Sequence, residues 1–299
     1  MLANRIIASG SAGSGGYVDD YVTPYAVWSA EKKLISGYSG QAIRVRRSSD
    51  NTEQDIGFSG DLLDTAALLS FTGANSGYVT KIYQQVAALT GADLVQATAA
   101  AQPRIVNAGT LEADYAWHDG SDDFLRATLP AGGMASAQAT LFTRIRINNT
   151  NSNGQYGYSI DVGYNNGSVK GFALYCDQRS VGSGTPGIVS AMSGGSSGPY
   201  MQRAFADATR NGKGATHLFT ARFDLAVSAT DDTALHLYMD GTDTSQATPS
   251  TGDPTGTFNY TSVTTGSDTS TNRSQCGLHS LVLVASDALA SRANIEAVL

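Results

Sequence analysis

The chain has 299 residues, of which 41% are hydrophobic and only 15% are charged, and its formal net charge is −7. The sequence holds five Lys and four Glu against 33 Gly, a balance that disfavours a mainly helical protein. It contains no basic block that could neutralise nucleic-acid phosphates. No stretch approaches the roughly 20 apolar residues of a membrane span. We therefore do not expect a helical bundle, a nucleic-acid binder or a membrane-spanning protein.

The first 22 residues are expected to form an arm and a linker. Residues 9–16 read SGSAGSGG, which is typical of a flexible tether. The arm that precedes them, residues 1–8, can be disordered or can dock on a neighbouring protein. It has no hydrophobic region long enough for a signal peptide, so we expect the protein to stay in the cell that makes it or to leave by lysis.

Residues 23–108 are expected to form a small α+β module. Thr23 and Pro24 suit the start of a helix that would run to Leu34. Alternation predicts a strand over 40–47 and another over 78–83. A second helix is predicted over 61–71.

Residues 109–299 show the alternation of an antiparallel β-sandwich. The pair Asp240-Gly241 is a strong hairpin signal, and the chain is expected to close with a short helix carrying Leu289, Ile295 and Val298. Long polar loops at 177–215 and 242–276 are where we expect a binding surface. The predicted strands are 139–147, 156–162, 169–176, 217–224, 234–239 and 278–284.

Two groups of side chains are candidate metal ligands. Asp119, Asp122 and Asp123 lie in a turn-like segment and could hold Ca²⁺ through carboxylate oxygens, or could simply cap the turn. A zinc site would require His217, His236 and His279 to meet in space, and they could equally be ordinary strand histidines. We therefore expect no cofactor, with Ca²⁺ as the alternative.

Five tyrosines in the sandwich region are candidate ligand-binding residues, because exposed tyrosines stack on sugar rings, although tyrosines are also common in sheets. They are Tyr156, Tyr158, Tyr164, Tyr175 and Tyr200.

Three short motifs have simpler explanations than chemistry. Residues 194–198 match a nucleophile elbow and residues 182–187 match a dinucleotide-binding loop, but both lie in Gly/Ser-rich sequence without the required helix. Cys176 and Cys276 could form one bridge, yet two buried free thiols are the simpler reading.

Three groups of residues carry a resemblance to known families. Residues 36–58, 63–85 and 96–109 together resemble the opening region of arabinofuranosidase B catalytic domains, and bacteriophage proteins that carry the same module. Residues 117–130 (WHDGSDDFLRATLP) resemble the entry strand of concanavalin-like (laminin-G-like) sandwiches, and 235–241 with 279–299 resemble the closing elements of that fold. The resemblance implies a mainly β fold, a concanavalin-like antiparallel β-sandwich (jelly roll) with a small α+β module before it and a short C-terminal helix.

The departures from the family shape the functional expectation. Where the family has Tyr-Asp-Gln-Ser-Gly-Asn-Gly, residues 83–87 read Tyr-Gln-Gln-Val-Ala, and Cys176 is followed by Asp177 instead of a second cysteine. No catalytic residue is carried over, so we expect no enzymatic activity. The resemblance instead suggests a bacteriophage virion surface protein, either a head decoration or fibre or a tail adhesin.

The expected partners follow from this reading: other virion proteins through the arm, a host-surface glycan, and further copies of the chain as a homo-oligomer, but no nucleic acid and no membrane. The alternatives are a lectin-like carbohydrate-binding module in host recognition, and a glycoside hydrolase. The hydrolase would need two carboxylates facing one cleft.

Overall fold

The computed structural model describes residues 16–148, 156–163, 170–177, 188–193, 200–204, 214–227, 234–243, 247–248, 256–267 and 273–299. The arm at 1–15 lies outside these residues, as do Tyr164 and parts of the two long polar loops. Short 3-10 turns occur at Val18–Asp20, Ala87–Leu89, Ala99–Ala101 and Leu289–Ser291.

The first part of the chain contains nine strands and one helix among the described residues. They are β1 (Ala26–Ser29), β2 (Ile43–Arg47), β3 (Glu53–Ile56), β4 (Phe58–Ser59), β5 (Leu62–Leu63), α1 (Thr65–Thr72), β6 (Gly77–Ile82), β7 (Leu94–Val95), β8 (Arg104–Asn107) and β9 (Thr110–Leu111).

The second part adds thirteen strands and a closing helix among the described residues. They are β10 (Ala116–Asp119), β11 (Leu125–Thr128), β12 (Gln138–Ile147), β13 (Tyr156–Val162), β14 (Gly171–Asp177), β15 (Ile188–Ser193), β16 (Tyr200–Ala204), β17 (Thr216–Asp224), β18 (Leu235–Met239), β19 (Thr242–Asp243), β20 (Ala247–Thr248), β21 (Ser262–Thr265), β22 (Gln275–Val284) and α2 (Arg292–Val298).

Two antiparallel layers form the sandwich. The first layer runs β18-β17-β12-β22, with β1 and β10 sharing the other edge of β22. The second runs β11-β21-β13-β14-β15-β16. Phe172 of β14 stacks on Phe223 of β17 with ring centroids 4.4 Å apart, which joins the layers through the core. The mainly β, antiparallel sandwich predicted from the sequence is confirmed.

The N-terminal strands connect the two layers instead of standing apart. Strand β6 pairs with β2 along one edge and with β8 and β7 along the other. Strand β8 also pairs with β10 of the first layer, and β7 also pairs with β11 of the second layer. One hydrophobic core includes Val45 and Val79 of this part and Leu141 and Leu278 of the sandwich. The division of the chain into 1–22, 23–108 and 109–299 stays a prediction.

The predicted helix from Thr23 to Leu34 is wrong. Residues Ala26–Ser29 form β1 and pair with Ser280–Leu283 of β22. All four β1 residues are buried, so this short apolar run is a strand covered on both faces, which periodicity alone cannot tell from a buried helix. The tertiary pairing decides between the two.

The other predicted helices and strands agree with the structure to within four residues, but the predicted loops at 177–215 and 242–276 contain β15, β16, β20 and β21. The closing helix α2 is confirmed, and Ile295 and Val298 pack with Phe142 and Val282 in a second core on the outer face of the first layer. Within the described part of the chain, no helix is long and apolar enough to cross a membrane.

Candidate functional site

The first layer has a break along one edge of β22. Strand β1 pairs with residues 280–283 and β10 pairs with residues 275–278, so His279 lies between the two strands. On the opposite side of β22, the register with β12 shifts between Arg144 and Ile145. Bulges of this kind turn a side chain out of the regular alternation and are common beside functional sites.

Glu31 occupies the space at this break, just after β1 ends. One of its carboxylate oxygens accepts a hydrogen bond from Nδ1 of His279 at 3.1 Å and also pairs with Arg144. Burial alone would raise the pKa of Glu31, but the hydrogen bonds and charges of His279 and Arg144 outweigh it and hold the pKa below its ordinary value. Glu31 is therefore an ionised carboxylate at neutral pH.

Two polar atoms at the break have no partner among the described residues. Nε2 of His279 and Oγ of Ser280 are both buried and unpaired. Such groups are rare in folded proteins and are usually explained by bound water, an ion or a functional role.

The adjacent residue Tyr115 has a strained backbone. Its φ is 55°, in the left-handed region that side chains other than glycine seldom adopt. Its ring lies 5.1 Å from the His279 ring, between centroids. Strain of this kind persists only where the surroundings enforce it, and it is concentrated at functional sites.

A second carboxylate lies on the same face. Asp114 accepts a hydrogen bond from Nη1 of Arg146 at 2.8 Å and one from Oγ1 of Thr216 at 3.4 Å. Arg146 also lies over the ring of Trp117, 5.8 Å from its centroid. Asp114 can approach this closely because Gly277 of β22 has no side chain: a Cβ built there would clash with the Cβ of Asp114.

We call Glu31, Asp114, Arg144 and Arg146 the carboxylate–arginine row. Arg144 and Arg146 are alternate residues of β12, so both project from the same face, about 7 Å apart along the strand. Each arginine holds one carboxylate in place, and the half-buried rings of Tyr115 and Trp117 lie beside them. The row combines fixed charge, bidentate donors and aromatic surface, which is a combination suited to binding hydroxyl-rich molecules.

The three predicted calcium ligands do come together. One carboxylate oxygen from each of Asp119, Asp122 and Asp123 lies within 4.8 Å of the others. Burial, followed by the charge of Asp119, raises the pKa of Asp123 to about 7. Asp123 also accepts a hydrogen bond from the Asp119 backbone N–H at 3.0 Å, as a turn cap would. Three hard oxygens suit Ca²⁺, although they are fewer than its usual six to eight ligands.

The histidines do not converge on one site in the structure. His217 pairs with Asp240 at 2.6 Å, His236 with Asp243 at 3.6 Å and His279 with Glu31. Among the described residues, the three aspartates form the only group of three or more potential metal ligands. The zinc alternative therefore receives no support from the described residues.

Two of the five predicted tyrosines have described side chains, and both are buried. Tyr158 and Tyr175 are buried and pack against each other, with ring centroids 4.9 Å apart, so neither ring can stack on a sugar at the surface. Tyr175 pairs with Tyr158 and lies on the face of β14 opposite the core residues Phe172 and Leu174, and a register shift after Tyr158 separates it from the face of Ile160. The side chains of Tyr156 and Tyr200, and the whole of Tyr164, lie outside the described residues, as do the motifs at 182–187 and 194–198.

The residues that replace the family pattern have structural roles. Oε1 of Gln84 accepts hydrogen bonds from the backbone N–H groups of Val27 and Val86, and Oε1 of Gln85 accepts one from Leu34. Cys276 is a buried free thiol, and burial raises its pKa to about 12. The Cys176 side chain lies outside the described residues.

Comparison with known proteins identifies what the chain is similar to. Residues 17–116, about a third of the chain, match the model of the alpha-L-arabinofuranosidase B catalytic family. A search among curated proteins finds no match.

Two solved structures share the fold. One is a variant of GH54 α-L-arabinofuranosidase soaked with 4-nitrophenyl α-L-arabinofuranoside: 14% identity, TM-score 0.54, covering 92% of this chain and 63% of that one. The other is an arabinofuranosidase complexed with arabinofuranosyl-α-1,2-xylobiose: 15% identity, TM-score 0.53, covering 92% and 62%. This chain thus spans less than two thirds of either structure.

These findings support a glycan-related function and correct one expectation. The match to a catalytic family contradicts the expectation that the chain has no enzymatic activity. That expectation rests on the absence of the family motif at residues 83–87. The glutamines at these positions have structural roles, and their presence does not exclude catalytic carboxylates elsewhere in the chain. Nothing in the comparisons points to a bacteriophage, so the virion location, the virion partners and the homo-oligomer stay predictions.

Sequence reasoning missed the carboxylate–arginine row. Glu31 lies 113 residues from Arg144 and 248 from His279 along the chain, so no local motif joins them. One signal was available: the predicted strand 139–147 carries two arginines at alternate positions near the end of an otherwise apolar run. Charges on one face of such a strand indicate a polar surface with partners.

Proposed function

We propose that the chain binds a glycan at the carboxylate–arginine row and hydrolyses a glycosidic bond there. One observation carries the proposal: two carboxylates, Glu31 and Asp114, lie on one face of the first layer, each fixed by an arginine of β12. Glycoside hydrolysis needs two carboxyl groups across the scissile bond, roughly 5 to 9.5 Å apart. The spacing of the two arginines is of the same order. The match of residues 17–116 to an arabinofuranosidase catalytic family supports this reaction class.

The two carboxylates are assigned different roles. Glu31, with its lowered pKa, supplies a negative charge that stabilises the positive charge developing on the sugar in the transition state. Asp114 is assigned proton transfer to the leaving oxygen, while a water molecule forms the new bond to the anomeric carbon and gives its proton to Glu31. Since Arg146 holds the Asp114 carboxylate, this role requires that bound substrate draw Arg146 away from it.

The test is hydrolysis of 4-nitrophenyl α-L-arabinofuranoside by the full chain. We expect Glu31→Gln and Asp114→Asn each to lower kcat at least about 100-fold, the usual scale for losing an acid–base or charge-stabilising group. Glu53→Gln is the matched control, because Glu53 is an exposed carboxylate on β3 outside the row, and it should retain wild-type kcat.

The outcomes separate catalysis from binding. If Glu31→Gln and Asp114→Asn both keep the wild-type turnover, the carboxylate–arginine row is not the catalytic site. Glycan binding without turnover in the wild type would reject hydrolysis and leave the carbohydrate-binding alternative.

A further inference from the structure

A continuous cross-strand row of side chains leads away from the proposed site. Directly paired residues of neighbouring antiparallel strands project from the same face of a sheet. The pairings connect six strands through Arg46, Tyr78, Arg104, Trp117, Gly277 and Arg146 in that order. We call these six positions the arginine–aromatic ladder.

The ladder is partly exposed except at Gly277, which is buried beneath Asp114. Its five side chains are all partly exposed, and Gly277 is the one position without a side chain. Arg46 lies over the ring of Tyr78 at 4.8 Å, and Arg146 lies over Trp117 at 5.8 Å. Five intervals between strands of about 4.8 Å give a length of roughly 24 Å.

The charges along the ladder are largely compensated. Arg104 pairs with Glu112 at 2.6 Å and Arg146 with Asp114 at 2.8 Å. Arg46 has neutral partners among the described residues, donating to Oε1 of Gln102 at 2.7 Å and to Oδ1 of Asn51 at 2.8 Å. A surface with many donors and acceptors, aromatic rings and little net charge matches hydroxyl groups better than carboxylates or phosphates.

We propose that the ladder is a row of subsites for an extended, uncharged polysaccharide that lies across the strands of the first layer, with its end at the carboxylate–arginine row. The inference rests on the proposed function, because it names the substrate class of that same site. The chain of sugars would run perpendicular to β10 and β22, stacking on Trp117 and Tyr78 and bonding to Arg104 between them and to Arg46 and Arg146 at the two ends.

The test measures affinity against chain length by calorimetry, using xylo-oligosaccharides of two to six units and soluble arabinoxylan. We expect wild-type affinity to rise from the dimer to the hexamer. Tyr78→Ala should weaken hexamer binding by roughly fivefold to tenfold, the scale of one lost stacking contact, and leave dimer binding unchanged. Arg46→Met, which keeps the side-chain stem and removes the donors, should do the same. Tyr21→Ala is the control, since Tyr21 is an exposed tyrosine off the ladder.

Salt supplies an independent readout. Binding of an uncharged polysaccharide should be nearly the same in low and high NaCl, because no ion pair with the ligand is screened. Tighter binding of polygalacturonate, or an affinity that falls steeply with salt, would overturn the uncharged class.

The ladder and the proposed function can fail separately. Equal affinity for dimer and hexamer, no binding of any of these glycans, or a Tyr78→Ala loss no greater than that of Tyr21→Ala, overturns the ladder. Hydrolysis of 4-nitrophenyl α-L-arabinofuranoside, which is too short to reach Tyr78, reports on the proposed function alone. Thermal unfolding of each variant confirms that it is folded before its affinity is compared.

Discussion

Gly277 shows how a single residue on a strand permits the site. A Cβ at this position would clash with the Cβ of Asp114 and lie 2.8 Å from the Asp114 backbone oxygen. Glycine in a strand interior is unfavourable, and it is retained where another part of the chain must approach closely. The approach of Asp114 to Arg146 therefore depends on the absence of a methyl group.

Gly277→Ala is expected to lower the free energy of unfolding by about 1 to 3 kcal/mol, because the backbone of the 112–116 segment must shift. Urea denaturation of the variant measures this cost. Gly37→Ala is the matched control, since a Cβ there meets no atom within 4 Å. Equal stability of the two variants would show that Asp114 moves aside without cost.

Asp123 provides a pH-dependent prediction. Its folded-state pKa of about 7 lies above the ordinary value of 3.8, so the native state binds more protons than the unfolded state between these values. Stability from this group is therefore present at low pH and is lost as the pH rises from about 4 to about 7. Asp123→Asn removes this loss and keeps an acceptor for the Asp119 N–H.

The Asp123→Asn variant should match the wild type near pH 4 and be more stable above pH 7, by at most about 4 kcal/mol for a shift of three pKa units. Urea midpoints at several pH values measure the difference between the two proteins. If the stability difference between the two proteins does not change with pH, folding does not raise the pKa of Asp123.

The same cluster tests the calcium prediction. If the three carboxylates bind Ca²⁺, the ion should raise the Tm of the wild type, with the logarithm of its concentration above Kd, and leave the Tm of Asp119→Asn unchanged. Identical Tm values with Ca²⁺ and with a chelator would assign the cluster to turn capping alone.

At the scale of elements, alternation of apolar residues was the reliable signal. It predicted β12, β13, β17 and β18 because each has one face in the core and so repeats every two residues. The Asp240-Gly241 turn is also confirmed, with both residues at positive φ. Alternation failed for β1, which has only four residues, all of them buried, so that its sequence shows no period.

Helix α1 begins at a local start signal that the predicted bounds of 61–71 did not identify. The Asp64 side chain accepts a hydrogen bond from the Ala67 backbone N–H at 2.9 Å, so it is the N-cap. Asp64→Ala should cost about 0.5 to 2 kcal/mol of unfolding free energy. Asp64→Asn, which keeps the acceptor, should cost much less, and an equal loss in both variants would show that the carboxylate acts otherwise than as a cap.

At the scale of the whole molecule, the sandwich was predictable and the site was not. A strand's faces can be read locally, but the break between β1 and β10 exists only because both strands pair with β22 from distant parts of the sequence. Glu31, Arg144 and His279 meet at that break. Because they are far apart in the sequence, only the pairing of the folded strands brings them together.

The whole-molecule topology also explains why the family match and the site belong together. The matched residues 17–116 supply Glu31, Asp114 and Tyr115, while the sandwich supplies Arg144, Arg146 and His279. Each carboxylate thus comes from one part of the chain and its arginine from the other. The proposed glycan site requires both parts in one folded chain.

The most direct test of this account is a crystal structure of the chain soaked with an arabinose-substituted xylo-oligosaccharide. We expect sugar density on the outer face of the first layer, with hydroxyl groups within hydrogen-bonding distance of Glu31 and Asp114 and a ring against Trp117. Sugar density confined to another part of the molecule, with the carboxylate–arginine row bare at saturating ligand, would contradict it.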